Sequence, residues 1–184
     1  MKTTQFRICA RTFRRLAAAG EFGDTKVELL DGRLEIMTSG PAHDYVVAKL
    51  AELLRACLGR GAWTVREEKP LRLGRFWRPA PDIAVVRGSL ESYRNLTPGR
   101  LDAALLIEVA DSTYSKDSGA KLTRYLECGI PAYWIVDVNR RVVEVRDMQA
   151  EHGPVLAVYS EGQAIPLTLD GREYAAVAVG DVLA

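Results

Sequence analysis

The chain has 184 residues, 48% of them hydrophobic and 27% charged, with a formal net charge of +1. That length and balance suit a soluble globular protein built on one core. They exclude a partner recruited by bulk charge alone, so any site for nucleic acid or another polyanion has to be a local patch.

At the N-terminus, "MKTTQFRICARTFRRLAAAG" scatters arginines and has no uninterrupted apolar stretch, so no signal peptide is expected. No apolar run anywhere reaches the length of a membrane span. Cys9, Cys57 and Cys128 are far apart, odd in number and without C-x-x-C spacing. This usage fits a reducing cytoplasm and argues against a disulfide framework or a structural zinc site. Thr12 to Gly20 predicts a short helix with Thr12 as its cap and Gly20 as its stop.

"VELLDGRLEIM" places two apolar-rich arms around Asp31-Gly32, a dipeptide that favours a type I′ hairpin. In "AHDYVVAKLAELLRACLG", Val46, Val47, Leu50, Leu53, Leu54 and Leu58 recur at three- and four-residue steps, which predicts an amphipathic helix ending near Gly59. "AWTVREE", "DIAVV" and "AALLIEVA" read as strands. "SKDSGAKLTRYLECG" reads as a helix with Leu122, Tyr125 and Leu126 on one side and Gly129 as its stop. "AYWIVDV" and "RVVEVRD" follow as strands joined at Asn139-Arg140, and the tail from Gly153 holds two or three short β runs.

From Ala42 to Asp137 the order is therefore helix, three strands, helix, strand. A helix between the third and fourth strands makes a crossover to a parallel neighbour. The expected class is an α/β domain around a mixed sheet, with the hairpin before it and the strands after it extending or covering that sheet.

Two acids stand in unusual places: Asp82 opens "PDIAVV" and Glu108 interrupts "LLIEVA". If both strands are interior, two carboxylates lie at similar heights on neighbouring strands, where ionising both is costly. Mg²⁺ would resolve the conflict, since it accepts one or two carboxylates together with waters and phosphate oxygens. The other reading leaves Asp82 in water at a strand start and pairs Glu108 with a buried arginine. Lys121 is open in the same way. It either points back across the sheet towards a metal-bound water, or sits on the surface paired with Asp117 at i, i+4.

"VELLDGRLEIMTSGPAHDYVVAKLAELL", "PDIAVV" and "LLIEVADSTYSKDSGAKLTRYLECGIPAYWIVD" together resemble the Uma-two family, within the PD-(D/E)XK superfamily of restriction-endonuclease-fold nucleases. The resemblance spans nearly the whole chain and implies one restriction-endonuclease-like domain over residues 1–184, with its core at about 27–146. It implies Asp82 and Glu108 as ligands of Mg²⁺ or Mn²⁺, with the carbonyl of Val109 as a further ligand. Two residues after Glu108, where the superfamily motif has lysine, stands Ala110. The resemblance puts the lysine on the following helix, at Lys121, and adds Glu28 as a further acid at the site.

His43 matches a family position and could touch phosphate or carry a proton, although an exposed helix-start histidine is the plainer reading. Tyr125 lies one turn after Lys121, either over the lysine stem or in the core. Arg66, Lys69, Arg72, Arg75 and Arg78, interleaved with Phe76 and Trp77, read as phosphate-holding or, more plainly, as a solvated hairpin diluted by Glu67 and Glu68. Arg7, Arg11, Arg14 and Arg15 are equally ambiguous. Cys128, Trp134 and His152 read as structural or surface residues.

The expected function is a metal-dependent endonuclease acting on nucleic acid, most naturally DNA, with no membrane partner. A homodimer is expected from how this fold commonly cuts two strands. The alternatives are a catalytically inactive nuclease-fold module that binds metal or nucleic acid, and a structural subunit that dimerises through its β tail.

Overall fold

The computed structural model describes residues 6–150 and 153–183, so His152 and the first residues of the N-terminal stretch lie outside it. Strand β5 (Ala103–Ala110) is buried along its whole length. It is a central strand of a six-stranded sheet ordered β3 (Trp63–Glu67), β4 (Ile83–Arg87), β5, β6 (Ala132–Asp137), β7 (Val142–Asp147) and β8 (Val155–Ser160). Only the β5–β6 pair is parallel; the others are antiparallel. A parallel neighbour needs a crossover, and the helical segment from Tyr114 to Glu127 supplies it. The expected order of helix, three strands, helix and strand is present, as is the mixed sheet.

Period-two alternation divides the strands between two cores. Ile83, Val85, Leu105, Ile107 and Val109 face helix α2 (Pro41–Leu58) through Val46, Val47, Leu50 and Leu54. The same layer takes Ile165, Leu167 and Leu169 from β9 (Ala164–Leu169) and Val177 from β10 (Arg172–Ala178), a separate hairpin that covers the sheet. Ala84, Val86, Leu106, Ala110, Tyr133 and Ile135 face the other way, towards Leu71, Leu73 and Tyr125. The tail thus splits: β8 extends the sheet and β9–β10 cap it. The three cysteines are unpaired.

β1 (Val27–Leu30) and β2 (Arg33–Ile36) form the expected hairpin, and Asp31 and Gly32 both have positive φ, 49° and 79°. Gly32 is required twice over, because a Cβ there would stand 2.7 Å from Arg7 Cβ. This hairpin does not join the large sheet. Leu29 exchanges backbone hydrogen bonds with Arg78 in the extended segment ahead of β4, and so lays β1 across the end of the sheet.

Three local expectations are corrected. Helix α1 spans Ala10–Ala18, so Thr12 is inside it rather than its cap. The Ala10 N–H is instead satisfied by the Arg75 carbonyl at 2.7 Å. Leu126 is 42% exposed and does not share the buried side of Tyr125. The crossover helix is not a plain α-helix: between Tyr114–Lys116 (α3) and Leu122–Glu127 (α4), Asp117–Lys121 forms a π-turn.

Candidate active site

Asp82 and Glu108 reach one place because of strand register. β4 and β5 pair Ala84 with Leu106 and Ile83 with Ile107, and one more step of that antiparallel register sets Asp82 opposite Glu108. Both share the parity of Ala84, Leu106 and Ala110, so both face the crossover helix. Asp82 is 5% exposed and Glu108 2%. The reading that left Asp82 in water is thereby excluded. An Asp82 Oδ2 oxygen accepts the Val109 N–H at 2.6 Å and lies 3.2 Å from His43 Nε2.

Lys121 is buried, not a surface lysine. Its Nζ lies 2.9 Å from Glu108 Oε1, 3.3 Å from Glu28 Oε1 and 3.8 Å from Asp117 Oδ1. Glu108 does have a buried cationic partner, but that partner is this lysine rather than an arginine. Glu28 comes from β1 and is fully buried; its Oε1 also accepts the Ala80 N–H at 2.8 Å. Leu29 beside it is equally buried, because strand β1 is covered on both faces while β2 stays largely exposed. The Tyr125 hydroxyl, also buried, donates to Glu108 Oε1 at 2.8 Å, and its ring stands edge-on to Tyr133.

The π-turn explains how one helix presents Asp117, Lys121 and Tyr125 to the sheet. Two successive four-residue steps drift by about 80° around a regular α-helix. A wider turn takes fewer degrees per residue and absorbs that drift. Leu122 N–H accordingly bonds back to the carbonyl of Asp117. Tyr133 donates to the same carbonyl at 3.0 Å, and the Thr113 hydroxyl donates to the Asp117 carboxylate. Asp117 belongs to the site, yet in the sequence it stood out only as a surface partner for Lys121. The signal available was the repeated spacing Asp117, Lys121, Tyr125.

His43, expected at an exposed helix start, is instead largely enclosed, its side chain 12% exposed. The Asp82 hydrogen bond raises its pKa to about 9 against the opposing effect of burial, so the imidazole is charged at neutral pH. Burial raises Glu108 well above the ordinary carboxylate range; Lys121 opposes this, and Asp82, Asp117 and Glu28 add to it. Burial likewise raises Asp117, and the nearby lysine opposes it. Burial also works against the Lys121 ammonium, but Glu108, Glu28 and Asp117 outweigh it and hold the lysine charged.

These groups line a cleft of about 230 Å³, together with Val109, Lys116, Ser39 and Thr113 among others. Four buried carboxylates, Glu28, Asp82, Glu108 and Asp117, face two enclosed cations, Lys121 and His43. A proton on Glu108 or a divalent cation in the cleft would offset the surplus negative charge. Glu28 Oε2 is buried without a hydrogen bond, and the Nζ of the half-buried Lys116 lies 3.8 Å from it. Among the described residues no three His, Cys, Asp or Glu side chains stand as a ready ligand set. Mg²⁺ asks for less, one or two carboxylates with waters and phosphate oxygens, and the all-oxygen donors here fit such an ion. No helix among the described residues is long and apolar enough to cross a membrane.

A mixed sheet of this order, with one parallel pair joined by a crossover helix, is the restriction-endonuclease-like α/β fold. A solved structure of a "putative nuclease belonging to DUF820 from Anabaena variabilis" shares it, with a TM-score of 0.65 at 16% identity, over 85% of this chain and 89% of that one. The family model Uma2, described as "Putative restriction endonuclease", matches residues 10–178, and the chain belongs to that family. No curated protein matches it in sequence.

Proposed function

We propose that the protein is a Mg²⁺- or Mn²⁺-dependent endonuclease that hydrolyses phosphodiester bonds in nucleic acid, with DNA as its substrate. One observation carries this reading: Asp82 and Glu108 sit opposite each other on one face of the sheet, in a cleft that also encloses Lys121, 2.9 Å from Glu108. The family's description and the fold support it.

Asp82 and Glu108 are assigned as the carboxylate ligands, with the Val109 carbonyl as a further oxygen. A divalent cation bound there would supply a water of lowered pKa and offset charge on the scissile phosphate. Lys121 sets a fixed ammonium beside the reacting phosphate, where negative charge develops. Glu28 and Asp117 hold that ammonium from the other side and fix its position. Tyr125 orients the Glu108 carboxylate through its hydroxyl. His43, its Nε2 set against Asp82 and its Nδ1 3.2 Å from Asp44 Oδ1, brings a positive charge to the cleft that a phosphate would enter.

Supercoiled plasmid incubated with the wild type in Mg²⁺ or Mn²⁺ should be nicked and linearised. Chelator, Asp82→Asn and Glu108→Gln should each abolish cleavage. The closure of Lys121 directly onto Glu108 favours a second reading, an inactive nuclease-fold module. A wild type that binds the cation by calorimetry but never cleaves would establish that reading in place of the enzyme. No cation binding would remove the metal assignment altogether.

A further inference from the structure

Away from the acidic cleft, the fold gathers arginines that the sequence scatters. Arg11 and Arg14 come from α1, Arg72 and Arg78 from the segment ahead of β4, and Arg100 from the turn before β5. With Asp102 they line a separate cleft of about 680 Å³. Its frame is backbone: Arg72 N–H bonds to the Pro98 carbonyl and Arg78 N–H to the Leu29 carbonyl, both at 2.8 Å.

Arg78 is the informative residue. Its basic run reads in the sequence as phosphate-holding or as a solvated hairpin; Arg78 itself is only 4% exposed, and its Nη1 is buried with no hydrogen-bond partner. Burial, then the charges of Arg14 and Arg72, works against its cation. Among the described residues none of the five arginines takes part in an ion pair. Asp102 turns its carboxylate to the Gly99 N–H at 2.6 Å. A buried, unpaired guanidinium facing like charges is costly unless an anion completes it. Guanidinium forks match the several oxygens of a phosphate group better than ammonium groups do.

We propose that this arginine cleft is a phosphate-binding site separate from the acidic cleft, taking phosphate groups carried by a nucleic-acid backbone or by a small phosphorylated molecule. The proposal does not depend on the nuclease reading, because binding here needs neither a cation nor cleavage.

The test is calorimetric titration of the full chain in chelator, with pyrophosphate at one fixed ionic strength in one arm and a short DNA duplex at several salt concentrations in the other. At least one probe should bind. The double variant Arg14→Gln/Arg100→Gln, which changes exposed side chains only, should weaken that binding by about tenfold or more. Arg78→Lys should weaken it too, since lysine keeps the charge but not the fork; if that variant fails to fold, the double variant still decides. Pyrophosphate binding lost in the variant assigns a small phosphorylated ligand. Duplex binding alone, with the salt slope reduced by roughly 2 for two lost arginines, assigns the polynucleotide backbone. The proposal is overturned if neither probe binds, if wild type and variant bind alike, or if succinate binds as tightly as pyrophosphate.

Discussion

Lys121 holds the candidate site together before any substrate arrives. Its ammonium is shared among Glu108, Glu28 and Asp117, and little water reaches any of them. Removing one partner of a buried charge network costs far more than the network contributes, because the remaining charges are left uncompensated. Lys121→Met keeps most of the side-chain volume and removes only the charge. In chelator it should destabilise the protein by about 3 kcal/mol, the lower end of that range, because Glu108 can take up a proton. Excess Mg²⁺ should narrow the gap by replacing the lost positive charge. Urea unfolding of both proteins in chelator and in Mg²⁺ checks this. A loss below about 1 kcal/mol would mean that Lys121 is not what compensates the carboxylates.

At the level of elements, the crossover helix combines a wide turn with a weak helix former. Gly119 sits in the π-turn, and a Cβ built there meets nothing within 4 Å. Its φ is not positive, so alanine faces no backbone strain. Gly119→Ala should therefore stabilise the protein by roughly 0.5–1 kcal/mol through helix propensity and a less flexible unfolded chain. Gly32→Ala should do the reverse, because φ there is 79° and Arg7 Cβ already stands 2.7 Å away. Thermal melts of the two variants compare the sites directly. Destabilisation by Gly119→Ala would show that the wide turn needs glycine itself.

For the molecule as a whole, the acidic cleft sets the response to pH. His43, Glu108 and Asp117 all have folded pKa values raised above their ordinary ones. The folded protein then binds more protons than the unfolded chain, so this stabilisation is complete below the unfolded values and is lost as pH rises through the folded ones. For His43 the window runs from 6.5 to about 9. Asp44 and Asp170 are lowered, so their contributions are already complete in that window. Cys9, lowered to about 7, opposes the trend, and a Cys9→Ser background removes it. In that background and in chelator, the melting temperature should fall as pH rises through the window. The stabilisation given by Mg²⁺ should grow over the same range, because a cation displaces these protons. Melting temperatures that rise with pH in chelator would contradict the protonated cleft.

Local rules determined much of this protein from the sequence. The apolar run of β5, the three- and four-residue spacing of α2 and the Asp31-Gly32 turn each specify an element through near neighbours, and all are found where those rules put them. The odd placement of Glu108 within its strand was also visible, while the choice of Lys121 and Glu28 came from family resemblance. Tertiary structure decided the rest. Strand register sets Asp82 opposite Glu108, and a single-residue slip would turn either acid to the other face. Burial of Glu28 depends on the hairpin bonding to Arg78, and enclosure of His43 depends on α2 meeting the end of β4. Asp117 looked like a surface residue because charged side chains usually are; only the π-turn brings it inward. The arginine cleft is the same case. Its members lie on three separate stretches of chain, and no local pattern encodes contacts that exist only once those stretches have packed.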